Sequence, residues 1–361
     1  MTTESTTRRH SVFHRLTVND VQRLTDDAVA VTFAVPDELR DAYTFAPGQH
    51  VNVAMPDGDD DTRRSYSICS SPADGRLRVA VKRIPGGTFS AYAVDELAPG
   101  TELDVMTPAG RFTPQLDPAN AKHYVAIAAG SGITPIMSIV AAALETEPNS
   151  RVTLLYGNRT SRSAMFIDEL ADLKDRFPGR FHLIHVLSRE AQEAELLSGR
   201  IDAERLGRFL DTLITPEGVD EWYLCGPYEM VAGARDVLIG RAVDPSRIHS
   251  ELFHVGELPP KQVEITPPAA GSEVAILLDG RKTTVALEEG ESVLDAVLRV
   301  RNDAPFACRG GVCGTCRAKV LDGAVAMERN FALEDDEVTS GYVLTCQAHP
   351  TTEQVSLDYD A

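Results

Sequence analysis

Four cysteines constrain this chain more than any other feature. Cys308, Cys313, Cys316 and Cys346 are spaced C-x4-C-x2-C-x29-C, which puts three thiols on one short loop and brings the fourth from elsewhere. That is the ligand spacing of a [2Fe–2S] cluster. The run ARGGVCGTCR around them supplies Gly310, Gly311 and Gly314, which let the backbone bend and turn N–H groups toward the sulfurs. A structural zinc site also takes four cysteines, but its ligands usually come as two close pairs. Six cysteines in 361 residues are too few for a disulfide scaffold. Their crowding near one end reads as a metal site in a reducing cytoplasm.

The segment that carries them divides cleanly from the rest. Residues 256–272 hold four prolines and no helix or strand period, the composition of a semi-rigid linker. Beyond it, ILLDGRKTTVAL reads as a hairpin turning at Asp279 and Gly280. Residues 291–300 read as a helix with Val293, Leu294, Val297 and Leu298 on its buried side. Residues 273–361 resemble the plant-type ferredoxin domain along their whole length, which implies a β-grasp fold.

Two textures precede the linker. Up to about residue 115, short alternating runs (29–35, 50–55, 76–83, 102–106) are bounded by Pro, Gly and Asp, as in an antiparallel β-barrel. The acidic stretch 56–64 reads as an exposed loop. From residue 124 strands and helices alternate: strands at 124–129, 151–156, 181–187 and 221–224, helices at 135–145, 164–177 and 228–241. That is the pattern of an open parallel α/β sheet. The expected organisation is multidomain: a barrel over 1–115, an α/β domain over 116–255, the linker, and the iron–sulfur domain over 273–361.

Charge narrows the partners. With 54 acidic against 35 basic residues the formal net charge is −19, and residues 273–361 hold 16 acids and 8 bases. Bulk charge therefore argues against nucleic acid or an anionic membrane as a partner. The first ten residues lack the apolar core of a secretory signal, and no apolar run is long enough to span a bilayer. A cytoplasmic protein is expected.

A cluster that passes single electrons needs a source. Arg64, Ser65, Tyr66 and Ser67 form R-x-Y-S, and Gly87, Thr88, Phe89 and Ser90 form G-x-x-S at the start of a predicted helix, 90–97. A glycine turn leading into a helix N-terminus suits a pyrophosphate, though each motif alone also reads as an ordinary strand or turn. In this order they resemble the ferredoxin–NADP+ reductase superfamily. The resemblance implies that Arg64 contacts the FAD pyrophosphate, Tyr66 packs on the flavin and Ser67 hydrogen-bonds near its reactive nitrogen. Gly87, Thr88 and Ser90 would hold phosphate, and Lys82 would lie by the flavin edge. Cys69 reads as a small buried residue.

The nicotinamide signals follow. Gly130, Ser131, Gly132, Ile133, Thr134 and Pro135 link a buried strand to a helix, where backbone can approach a phosphate. Pro135 stands where a dinucleotide dehydrogenase has its third glycine, which fits the G-x-G-x-x-P loop of the superfamily. Cys225, Gly226 and Pro227 end a strand, and the family places this C-G-P turn beside the nicotinamide. Glu251 and Phe253 occupy positions where relatives carry a carboxylate and an aromatic near the flavin; core packing is the competing reading for Phe253. The second strand ends at Asn158 and Arg159 without an acid, and the third at Ser188 and Arg189. The Ser-Arg pair resembles the 2′-phosphate grip of NADPH-using relatives, since guanidinium pairs well with phosphate. NADPH is favoured, with NADH possible.

The order flavin barrel, nicotinamide domain, [2Fe–2S] domain is similar to the reductase components of bacterial multicomponent oxygenases. It implies an electron-transfer oxidoreductase whose partner is a multi-subunit, di-iron oxygenase component. The reductase of a Rieske-type oxygenase is the alternative within this class, and a zinc-bearing interaction module the alternative outside it. A di-iron site on this chain would need two Glu-x-x-His pairs, and the sequence holds one such spacing. Arg309 and Arg317 flank cysteine ligands in an acidic domain and are expected to form a positive patch that orients docking.

Overall fold

A computed structural model describes residues 12–55, 63–253, 261, 263 and 271–361. Most of the expected loop 56–64 and of the expected linker 256–272 lies outside them. The chain forms two compact units, Phe13–Glu257 and Leu258–Ala361.

The first unit begins with β1 (Phe13–Thr25), β2 (Ala28–Ala34), β3 (His50–Ala54), β4 (Arg64–Ser67), β5 (Leu77–Lys82), helix α1 (Thr88–Asp95) and β6 (Glu102–Met106). The antiparallel sheet runs β4-β3-β6-β1-β2-β5, and a bridge between Ile68 and Val79 joins its two edges into a barrel. Val29, Val31, Val51, Val53, Val79, Val81 and Val105 fill the interior, β-branched side chains that suit a pleated surface. Helix α1 starts two residues before the expected position. Gly86 takes φ +75° in the turn, and the Ser90 hydroxyl accepts from Ile84 N at 3.1 Å to hold it.

The same unit continues through β7 (His123–Ala129), α2 (Ile133–Thr146), β8 (Arg151–Asn158), α3 (Ile167–Arg176), β9 (Phe181–Leu187), α4 (Ala203–Thr212), β10 (Glu221–Gly226), α5 (Tyr228–Gly240) and β11 (Ile248–Leu252). The all-parallel sheet is ordered β11-β10-β7-β8-β9. Chain order reverses between β7 and β10, so the crevice at their carboxyl ends is the topological switch point where such sheets bind ligands. Helix α2 is apolar on nearly every side, as a fully buried helix must be. Its Ile136, Ile139 and Val140 share one core with Ala28, Ala30, Cys69 and Ala80 of the barrel. Barrel and sheet thus pack as one body, and α2 carries the loop from β7 into that contact.

The second unit holds β12 (Glu273–Leu278), β13 (Arg281–Ala286), α6 (Val293–Leu298), β14 (Arg317–Asp322), β15 (Val325–Met327), α7 (Asp335–Thr339), β16 (Tyr342–Leu344), β17 (Ala348–Pro350) and β18 (Gln354–Asp358). The mixed sheet runs β13-β12-β18-β14-β16, with β12 and β18 parallel. The hairpin turns where expected: Asp279 and Gly280 both take positive φ, 53° and 67°, the pairing a tight two-residue turn requires. Helix α6 is capped by Ser292, which accepts from Asp295 N, and buries Val293, Leu294, Ala296 and Val297 against the sheet. This is the β-grasp arrangement.

Candidate functional site

Three residues expected at the reacting centre come together in the first unit. Ser67 ends β4, Cys225 lies in β10 and Glu251 in β11, where Cys225 and Glu251 are register partners. The Ser67 hydroxyl donates to Glu251 Oε2 at 3.1 Å, so the contact bridges barrel and sheet. Burial pushes the Cys225 thiol well up, helped by the Glu251 carboxylate, and keeps it a neutral, compact wall. Phe253, two residues after Glu251, donates its N–H to Gly226 O at 3.0 Å and packs half-buried on the shared core.

The barrel side fits a flavin and its pyrophosphate. Tyr66 and Phe89 pack at 5.5 Å between ring centroids, which sets the R-x-Y-S strand beside the G-x-x-S turn. Arg64 and Thr88 are exposed. Helix α1 follows Gly87 and has no side chain capping its N-terminus, leaving its first N–H groups for an anion. A Cβ at Gly87 would lie 2.6 Å from Ser90 Oγ, so a side chain there would displace the hydroxyl that holds the turn. The Ser90 hydroxyl faces inward, between Ile84 N and Gly87 O. Lys82 donates to Asp27 at 2.9 Å and reaches Ser163 O at 3.5 Å. Burial opposes ionisation of Asp27, but its hydrogen bonds from Lys82 and Thr25 outweigh that and hold its carboxyl below the usual range.

The switch point fits a dinucleotide. Gly130 takes φ +55° after β7. A Cβ on Gly132 would lie 2.2 Å from Cys225 O, so the two turns touch backbone to backbone. Thr134 donates its hydroxyl to Ser131 O at 3.1 Å and tightens the loop. Helices α2 and α5, the latter preceded by Pro227, lack side-chain N-caps. At the far end, Arg159 and Arg189 are exposed and adjacent: Arg189 N donates to Arg159 O at 2.7 Å and Ser188 N to Asn158 O at 2.9 Å.

In the second unit the four cysteines converge as two pairs. Proximity to Cys313, with burial, pushes the Cys308 thiol well up, and Cys346, with burial, does the same to Cys316. Among the described residues no group of three His, Cys, Asp or Glu is arranged to hold one metal ion. Two pairs of thiols suit two irons, each bound through two of them. Gly310 N donates to Cys308 Sγ at 3.4 Å, and Gln347 Nε2 lies 3.8 Å from Cys346 Sγ, the N–H supply a charged cluster needs. The left-handed positions in the loop are Arg309, Gly311 and Gly314; Gly310 is not among them.

The expected positive patch needs correction. Arg309 is 45% exposed and lies over the Phe306 ring, 3.6 Å from Asp295. Arg317 is not at the surface. Its side chain is 12% exposed, paired at 2.9 Å with Glu337, itself 4% exposed, and lies on the Tyr342 ring. Glu337 also accepts from Glu334 N at the start of α7. Breaking a buried pair strands a charge and costs about 3–5 kcal/mol. Arg317→Ala should therefore lower the melting temperature of the iron–sulfur unit and bleach its cluster absorbance, where a docking residue would leave both intact.

Residues 15–113 match the Oxidoreductase FAD-binding domain family, 126–236 the Oxidoreductase NAD-binding domain and 276–351 the 2Fe-2S iron-sulfur cluster binding domain. Over 352 residues the chain is 46% identical to one of the subunits of 1,2-phenylacetyl-CoA epoxidase from Escherichia coli (strain K12), covering 97% of this chain and 99% of that one. It is 33% identical over 353 residues to the ferredoxin reductase component of 3-ketosteroid-9-alpha-monooxygenase from Rhodococcus rhodochrous, covering 95% and 96%. The chain belongs to the oxygenase reductase family. Phthalate dioxygenase reductase shares the fold, with a TM-score of 0.55 at 23% identity over 96% of this chain and 98% of that one. The reductase is thus an NAD(P)H-dependent oxidoreductase with FAD and a [2Fe–2S] cluster, and the zinc alternative falls to the iron–sulfur family match. No helix among the described residues is long and apolar enough to cross a membrane.

One carboxylate contact beside Arg189 lies outside the motifs of the sequence. Glu190 accepts from the backbone N–H of Ser161 at 2.9 Å and from its hydroxyl at 3.0 Å. The contact brings an acid from just beyond β9, one position after Arg189, against the turn that follows β8. Its signal is the next letter of the sequence, but its relevance depends on a turn 29 residues away.

Proposed function

We propose that this reductase is the electron-delivering subunit of a phenylacetyl-CoA epoxidase, taking electrons from NADPH and passing them to a di-iron, multi-subunit oxygenase component in the cytoplasm. The observation that carries this reading is the 46% identity across 99% of the Escherichia coli epoxidase chain, against 33% for the ketosteroid reductase. When bound, the cofactors supply the hard chemistry: NADPH gives a hydride, and FAD accepts two electrons together and releases them singly to the cluster.

The chain supplies position and charge. Arg64, Thr88 and the N–H groups from Gly87 to Ser90 are assigned to the FAD pyrophosphate, Tyr66 and Phe253 to the flavin faces, and Lys82 to its edge. Glu251 holds the Ser67 hydroxyl, which would hydrogen-bond near the reactive nitrogen of a bound flavin, and Cys225 would wall that point against water. Gly130, Gly132, Thr134, Gly226 and Pro227 form the dinucleotide cradle, with Ser188, Arg159 and Arg189 at its 2′-phosphate end. Cys308, Cys313, Cys316 and Cys346 bind the cluster. The working division is barrel 1–115, nicotinamide domain 116–255, linker 256–272 and iron–sulfur domain 273–361.

The test is reconstitution. NADPH should drive epoxide formation when the reductase is mixed with the epoxidase oxygenase component and phenylacetyl-CoA, and not with a ketosteroid oxygenase component and its steroid. In the same assay Arg189→Ala should raise the KM for NADPH about ten- to a hundredfold, the loss of a charged hydrogen bond worth roughly 1.5–3 kcal/mol. The KM for NADH should barely move. A wild-type preference for NADH, or equal loss with both, would overturn the NADPH assignment.

A further inference from the structure

Barrel and nucleotide sheet meet through several polar contacts, and one is built unlike the rest. Arg78 of β5 is 7% exposed, and both its terminal nitrogens bond the Glu169 carboxylate of α3, at 2.9 Å each. One of those nitrogens also donates to Gln22 at 2.7 Å, and the guanidinium lies over the Phe166 ring at 5.5 Å. Phe166 precedes α3 in the left-handed region, φ +59°, a conformation a bulky residue adopts only when its surroundings impose it.

The segment from Ser161 to Glu169 is held from both sides. On the barrel side Lys82 reaches Ser163 O and Arg78 holds Glu169. On the sheet side Met165 N donates to the Tyr156 hydroxyl at 3.1 Å, and that hydroxyl donates to Gly130 O at 3.2 Å. Gly130 opens the dinucleotide turn. Back on the barrel, Arg78 O accepts from Cys69 N at 2.8 Å, two residues beyond Ser67 at the end of the R-x-Y-S strand. A contiguous set of contacts therefore runs from the flavin strand, through Arg78 and the 161–169 segment, to the turn that cradles the nucleotide.

We propose that Arg78, acting through Glu169, is a positioning residue for hydride transfer, fixing the Gly130–Gly132 turn at its working distance from the Arg64–Ser67 strand. A buried ion pair is a poor source of net stability, since desolvation offsets most of its attraction, but it specifies one registry between the surfaces it joins. The two-pronged geometry requires a guanidinium: a lysine keeps the charge and loses the fixed orientation. Misplacement of about 1 Å far from the chemistry can cost about a hundredfold in rate.

The experiment compares Arg78→Lys and Glu169→Gln with wild type as holoenzymes, reading flavin reduction in stopped flow at saturating NADPH. The NADPH dissociation constant, FAD content and melting temperature are measured alongside. The expected result is a fall of about ten- to a hundredfold in the limiting reduction rate, with FAD content retained and the dissociation constant nearly unchanged. A loss of rate only in proportion to lost FAD or lost folded protein would reduce the pair to packing and overturn the proposal. An unchanged limiting rate would do the same. Glu169 is 30% exposed, so its amide variant keeps the test standing if Arg78→Lys does not fold.

Discussion

Cys313→Ser should abolish the iron–sulfur absorbance and cut electron delivery to the oxygenase or to a one-electron acceptor protein by about two orders of magnitude or more, while NADPH-to-dye reduction stays within about twofold. The reason lies in the division of the chain. Cys313 pairs with Cys308 in the second unit, and one serine leaves one iron short of a thiolate, a ligand that iron–sulfur chemistry replaces poorly. The first unit has its own core, which includes Ile136, Ala80 and Tyr156, so FAD and nucleotide binding have no structural reason to fail. Iron and sulfide analysis, flavin absorbance and the two activities measured on one preparation decide it. Loss of FAD along with the cluster would mean that the units are not independent.

What can be read from the sequence follows the range of the interactions concerned. Cys308, Cys313 and Cys316 sit within nine residues, so their spacing states the chemistry outright. Strand β9 falls on the expected residues 181–187 because Phe181, Val186 and Leu187 are buried and polar positions bound the run. Strand β1 is not among the expected strands. Its FHRLTVNDVQRLT sequence puts Arg15, Asp20 and Arg23 among few apolar residues, and its pairing with β2 slips between Val18 and Asp20 and between Arg23 and Thr25. Bulges erase the two-residue period that identifies a strand. Helix α4 is also absent from the expected elements, although Leu206, Phe209 and Leu210 make a short apolar face. Strand β11 is marked in the sequence only by its last residues.

At the site the same rule holds. R-x-Y-S, G-x-x-S and the C-G-P turn are local patterns, and the fold gathers Ser67, Cys225 and Glu251 across 184 residues of sequence to realise them. Arg317 shows the converse. Its neighbours in sequence suggest a docking role, but its charge is absorbed by Glu337, twenty positions on, under the ring of Tyr342. Local charge in a sequence says what a side chain carries, and only the fold says what it faces.

Gly132→Ala should be the most damaging single-methyl change in the nucleotide half. The added carbon would sit 2.2 Å from Cys225 O, 2.5 Å from its carbonyl carbon and 2.8 Å from Gly226 N. These are backbone atoms of the turn that ends β10, a strand paired on both sides by β7 and β11, so they cannot swing aside as a flexible side chain would. The loop must withdraw instead. Overpacking of this kind costs about 1–3 kcal/mol in stability. The larger effect falls on the chemistry. If the turn retreats by about 1 Å, the nicotinamide is carried off its approach to the flavin, and the flavin reduction rate should fall by about a hundredfold. FAD content and the cluster spectrum should not change, because the anion-binding turn belongs to α1 and the cluster cysteines to the second unit, each with its own core. Stopped-flow reduction by NADPH, set against chemical reduction of the same flavin by dithionite, separates the outcomes. A normal rate with NADPH would show that Gly132 is not in the dinucleotide cradle, and a slow reaction with dithionite as well would place the damage at the flavin itself.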